Sequence, residues 1–140
     1  MVEIISGEKG KGKTKQLLDR VRGDVKNAQG SIVFLDKNQK HMYELDSKVR
    51  LINMADYDVE SSDEFLGFLS GVISQNNDIE EIFLDSFLTI GYIDTSEGLV
   101  RAVEKLDQMS EKFETNFILS ISKDERELPE AVKPKIIISL

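Results

Sequence analysis

M-V-E-I-I-S-G-E-K-G-K-G-K-T, residues 1–14, is a short apolar run from Val2 to Ile5 followed by a segment rich in glycine and lysine. Gly7 to Thr14 fits the spacing G-x-x-x-x-G-K-[ST]. Gly7, Gly10 and Gly12 open backbone conformations closed to residues with a side chain and permit a close approach to a ligand. The amides of residues 8–14 are then free to converge on one anion. Lys13 carries a cation to the outer phosphates of such an anion, and Thr14 offers a hydroxyl to Mg²⁺. The same residues open a helix, whose unpaired N–H groups and dipole favour negative charge. The anion-binding set read from the sequence is therefore Gly7, Glu8, Lys9, Gly10, Lys11, Gly12, Lys13, Thr14 and Lys15.

Working outward, apolar periodicity alternates between strand and helix. Leu17, Leu18, Val21 and Val25 mark a helical face from Thr14 to about Ala28. Strands are predicted at Ser31–Leu35, Val49–Met54, Ile79–Asp85, Asn116–Ser122 and Lys135–Leu140. Ser61 and Glu64 form a capping box before the face Phe65, Phe68, Leu69, Val72 and Ile73. Asp94 and Glu97 are read as capping a helix with the face Leu99, Val103, Leu106 and Phe113. Phe87–Ile93 reads as an apolar connection, and Asp124–Val132 as a short helix or a loop limited by Pro129. This order predicts a single α/β domain over 1–140, with three αβα layers and a mainly parallel sheet of five or six strands. The apolar run Ile136–Ile138 suggests a strand buried on both faces.

Composition bounds the function. The chain has 140 residues and a net charge of −8, with no Cys and one His. Thiolate zinc sites and disulfides are excluded, and a His-based metal cluster is excluded by the same count. No apolar run approaches a membrane span, and no basic-then-apolar leader precedes the first strand, so a cytoplasmic protein is expected. Lys9, Lys11, Lys13, Lys15, Arg20 and Arg22 crowd the glycine-rich end. Between Leu51 and Val100 there is no Lys or Arg but eleven acids. That distribution suits a polyphosphate and disfavours nucleic acid.

Ligands in open α/β sheets lie beyond the carboxyl ends of the strands. Asp85 ends the run I-F-L, a place from which an acid holds the Mg²⁺ shell opposite Thr14. Asp36 ends V-F-L; it either orients an attacking water or a substrate hydroxyl, or serves as a turn acid. Ser120, Ser122, Lys123 and Arg126 follow another strand, and Arg126 is read either as a charge-stabilising finger or as a surface residue. With Lys13, Asp36 and Arg126 form the candidate catalytic set. His41 and Tyr43 either stack on a base or lie exposed in a loop.

On Gly7–Thr14 and Ile82–Asp85 the chain resembles the P-loop NTPases, within them the additional-strand group of RecA-type and AAA-type ATPases. It is also similar to small stand-alone bacterial P-loop proteins labelled as twitching-motility (pilus-retraction) ATPase-like. The resemblance implies ATP and Mg²⁺ as ligands and a strand between the P-loop strand and the strand ending in Asp85, a place assigned to Ser31–Leu35. Asp36 stands where RecA-like ATPases often carry a catalytic Glu, and Ser86 where many AAA-type proteins carry one. Glu8 stands where partition-type ATPases have a signature Lys. The expected function is Mg²⁺–ATP binding with slow hydrolysis, or hydrolysis completed by a protein partner or a second copy. A small-molecule kinase is the second expectation. A nucleotide-controlled interaction module is the third; the stretch Phe87, Leu88, Ile90, Tyr92 and Ile93 either forms its partner surface or packs under the following helix.

Overall fold

Two of the four helices begin at a side chain that caps the first turn. The computed structural model describes residues 1–140, and its helices are α1 Lys13–Asp24, α2 Ser62–Gln75, α3 Phe87–Ile90 and α4 Ser96–Phe113. Ser61 accepts from the Glu64 amide at 3.1 Å, while Glu64 reaches back to the Glu60 amide at 2.7 Å, one residue short of a closed capping box. Thr95, not Asp94, caps α4 by accepting from the Gly98 amide at 2.9 Å. The hydroxyl and the backbone there serve the orphan donors of the first turn. Helix α1 ends at Asp24, short of Ala28.

The strands are β1 Val2–Ser6, β2 Ser31–Asp36, β3 Val49–Asn53, β4 Ile79–Leu84, β5 Asn116–Ile121 and β6 Ile136–Ser139. They form one sheet in the order β3-β2-β4-β5-β1-β6, and every pairing is parallel. The arrangement is a mixed α/β fold with helices on both faces. No helix is long and apolar enough to cross a membrane.

Strand residues alternate between the two faces, and so do the two cores. Ile5, Ile32, Phe34, Phe83 and Ile118 pack with Leu17, Leu18 and Val21 of α1. Ile4, Val33, Leu35, Ile82, Leu84, Phe117 and Leu119 pack under α2, α3 and α4. The chain moves one way along the sheet from β1 to β3 and the other way from β3 to β6. The carboxyl ends of β1, β4 and β5 meet between those directions, the place where open α/β sheets form a crevice.

Two expectations are corrected by this topology, and two readings left open by the sequence are resolved. The strand between β1 and β4 is β5, not Ser31–Leu35, because β2 pairs on the far side of β4. Strand β6 is an edge strand paired only with β1, and its Ile137 is 44% exposed, so Ile136–Ile138 is not buried on both faces. Residues 124–132 form no α-helix; a 3₁₀ turn at Glu125–Glu127 is followed by turns anchored by buried Leu128 and Val132. The apolar stretch after Asp85 is core, not a free surface, since Phe87, Ile90 and Ile93 are buried and only Tyr92 is well exposed.

Away from the crevice, Arg20 ties α1 to the sheet. Its guanidinium lies 3.0 Å from Glu3, 2.7 Å from Asp24 and 3.7 Å from Glu81. Glu81 is buried on β4, and that burial, with the Asp24 carboxylate beside it, pushes its pKa up to about 8 against the Arg20 charge. A carboxyl raised from 4.5 in this way stabilises the fold when protonated and loses that contribution as pH rises towards 8. Thermal unfolding should therefore show wild-type stability falling between pH 5 and pH 8. Glu81→Gln should flatten that slope and be the more stable protein at pH 8.5, by about 1–3 kcal/mol.

Candidate functional site

The loop between β1 and α1 is built by three glycines used in two ways. Gly10 and Gly12 take φ of 86° and 91°, in the left-handed region that side chains rarely enter. Gly7 is needed for space: a Cβ there would meet Leu140 Cβ at 3.0 Å. Its amide donates to the Lys123 carbonyl at 2.9 Å, so Gly7 anchors the loop and has no donor left for a ligand. Lys11 donates to the Glu8 carbonyl at 3.3 Å. The amides of Glu8, Lys9, Gly10, Gly12, Lys13 and Thr14 have no backbone partner. Several unpaired donors in one loop at a helix N-terminus make an anion-binding geometry.

Lys13 is buried, and its ammonium donates to the Glu8 carbonyl at 3.0 Å. Burial lowers its pKa, and the charge of Asp85 opposes that shift. The carboxylate of Asp85 is the hub of the site. Its Oδ2 accepts from Thr14 Oγ1 at 2.8 Å, and its Oδ1 accepts from Ser120 Oγ at 2.5 Å and from the Ser86 amide at 3.0 Å. The Ser86 amide also reaches Ser120 Oγ at 2.8 Å. Ser86 makes those contacts with φ of 56°, a strained value for a residue with a side chain.

Beside Asp85 the end of β2 carries a second buried carboxylate. Leu35 pairs with Leu84, so Asp36 and Asp85 leave neighbouring strands side by side. Asp36 Oδ1 accepts from the Lys37 amide at 2.7 Å, and Oδ2 is buried with no hydrogen-bond partner. Burial first, and the charge of Asp85 second, push the Asp36 pKa up, against the Lys37 amide and the charges of His41 and Lys37.

A cavity of about 370 Å³ is lined by Lys9, Gly10, Gly12, Lys13, Thr14, Lys37, Asp85, Ser86, Thr89, Ser120 and Ser122, with Asp36, which precedes Lys37, outside the wall itself. No apolar side chain lines it, and three lysines face one carboxylate. Gly10, Gly12 and Lys13 are the groups able to meet an anion, and Thr14 and Asp85 those able to hold a cation. An apolar cavity of about 250 Å³, walled by Met54, Ala55, Val59, Ile90 and Tyr92, adjoins it and shares Lys37 and Thr89.

Other sequence-derived candidates lie elsewhere. Lys15 points to solvent and pairs with Asp19 at 2.8 Å. Arg126 has a side chain 84% exposed and held by Asp124 at 2.9 Å, so it is a surface residue outside the cavity wall. Tyr43 is 91% exposed, and His41 binds Glu44 at 2.7 Å; neither lines the cavity. Ser120, by contrast, lines the cavity, with its hydroxyl spent on Asp85. Lys37 and Thr89 carry no motif signal and enter the wall only through the fold.

No protein-family model matches this sequence, and a search of curated proteins returns no match.

The unpartnered Asp36 oxygen predicts a measurable cost to the empty fold. Asp36→Asn removes a buried charge beside another carboxylate and supplies a donor to Asp85. Thermal unfolding without ligand should show the variant more stable by about 1–2 kcal/mol. A loss of stability would show that Asp36 is satisfied in solution.

Proposed function

We propose that this chain is a P-loop nucleotide-binding protein of the additional-strand group that takes Mg²⁺–ATP between α1 and the ends of β1, β4 and β5. The observation that supports the reading most strongly is the loop itself: unpaired amides around Gly10 and Gly12, with Lys13 alongside and Thr14 bonded to Asp85. Position in the fold supports it too, since β5 stands between the strand before the loop and the strand before Asp85.

In this reading each residue has a defined task. Lys13 leaves the Glu8 carbonyl for the outer phosphates, which repay its burial better than a neutral oxygen does. Thr14 and Asp85 hold the cation. Bound Mg²⁺ supplies charge neutralisation at the phosphate oxygens. Asp36 is the group available to take a proton from water. Turnover is slow because Ser86 stands where a second acid would help and no arginine lines the cavity, so faster turnover requires a cation from a partner or a second copy. Adenine is the proposed base on family frequency.

The apolar cavity next to Lys37 and Thr89 favours a second reading, a small-molecule kinase whose acceptor occupies that cavity with a hydroxyl near Asp36. ATP consumption that depends on an added metabolite distinguishes it from a slow ATPase.

Thermal unfolding with Mg²⁺–ATP tests the proposal. At 100 times the dissociation constant, ligand stabilises by about 2.7 kcal/mol, a shift of several degrees at this chain length. Wild type should show that shift and Lys13→Ala almost none. Absence of a wild-type shift with ATP, GTP and ADP alike contradicts the proposal.

A further inference from the structure

With one histidine in the chain, a cluster of histidines is excluded, but a mixed site is not. The turn after β2 carries His41 back to the end of the sheet. A carboxylate oxygen of Asp36, a carboxylate oxygen of Asp85 and a ring nitrogen of His41 all lie within 4.8 Å of one another. Three features make this more than a chance gathering of acids. Asp36 is only 2% exposed, and its Oδ2 has no hydrogen-bond partner, which leaves a buried charged oxygen unexplained by the fold. Asp85 has three donors on its two oxygens, so its acceptor capacity is not exhausted. His41 Nδ1 lies 2.7 Å from Glu44 Oε2; with the proton on Nδ1 facing that carboxylate, Nε2 is the nitrogen free to ligate. A carboxylate behind an imidazole in this way fixes the tautomer of a metal-bound histidine.

We infer that Asp36, His41 and Asp85, with Glu44 behind His41, form a binding site for a divalent transition-metal ion. This site shares Asp85 with the Mg²⁺ position proposed opposite Thr14 but lies on the Asp36 side of that carboxylate, and it does not depend on nucleotide. Metal–ligand bonds of about 2.0–2.2 Å place ligand atoms roughly 3–4 Å apart. Two carboxylates and one imidazole suit Mn²⁺, Fe²⁺ or Zn²⁺ over Mg²⁺ or Ca²⁺, because imidazole is a poor ligand for the hard ions. A cation there gives Asp36 Oδ2 its missing partner and removes the repulsion between the two carboxylates. Three protein ligands leave open positions for water or for an oxygen of a ligand in the adjoining cavity.

Mn²⁺ is the probe, titrated into nucleotide-free protein and followed by electron paramagnetic resonance of the free ion. Wild type should bind one Mn²⁺, with excess Mg²⁺ a weak competitor, and pulsed spectra should show coupling to one imidazole nitrogen. His41→Gln should weaken binding at least about 10-fold and abolish the nitrogen coupling, while Glu44→Gln weakens binding but retains the coupling. Thermal unfolding without metal checks that both variants are folded. Superimposable titrations for wild type and His41→Gln, or bound Mn²⁺ without nitrogen coupling, overturn the assignment. Because no nucleotide is present, this outcome is separate from that of the ATP shift.

Discussion

The carboxylate of Asp85 holds the site together. It receives hydrogen bonds from Thr14 on α1, Ser120 on β5 and the amide of Ser86. Those donors come from segments far apart in sequence, and one acceptor brings them to a common point at the carboxyl edge of the sheet. A buried carboxylate is costly unless it is fully hydrogen-bonded. Ser86 meets that demand by adopting a left-handed backbone that points its amide inward. Thr14 in this way ties the first turn of α1 to the end of β4, directly after the glycine loop with its unpaired amides.

The neighbouring carboxylate is treated differently. Asp36 and Asp85 end adjacent strands, in register and both buried, yet Asp36 Oδ2 has no donor. Folding alone would favour a neutral residue there. The stability given up by a charged group in such a place is what supports the roles proposed for Asp36, proton transfer or the holding of a cation. Lys13 shows the same logic with the opposite sign: a buried ammonium resting on a single carbonyl is held in readiness for a stronger partner.

Much of this was legible in the sequence because the signals are local. Short continuous runs of β-branched and aromatic residues marked the strands, period-3.6 stripes marked α1, α2 and α4, and the spacing from Gly7 to Thr14 marked the loop. Asp36 and Asp85 stood out because each ends an apolar run. What escaped was decided by pairing. Strand β6 is as apolar as a central strand but lies at the edge, and β5 rather than β2 fills the place beside β1; no residue type announces sheet order. Thr95 outcompeted Asp94 as a cap by its position relative to the first turn. Arg126 was drawn to Asp124, two residues away, and not to the cavity. The meeting of His41 with Asp36 and Asp85 depends on the course of an irregular turn, which one histidine in a polar stretch does not reveal.

In the proposed function the glycine loop is an anion cradle preformed by the contact between Thr14 and Asp85. The most direct measurement is a two-dimensional amide NMR spectrum of labelled protein titrated with Mg²⁺–ATP. The amides of Gly10, Gly12, Lys13 and Thr14 should show the largest shifts, with those of Ser86 and Ser122 following and the edge strand β3 unmoved. Saturable shifts that cluster anywhere else, or a loop whose amides do not respond, would contradict it.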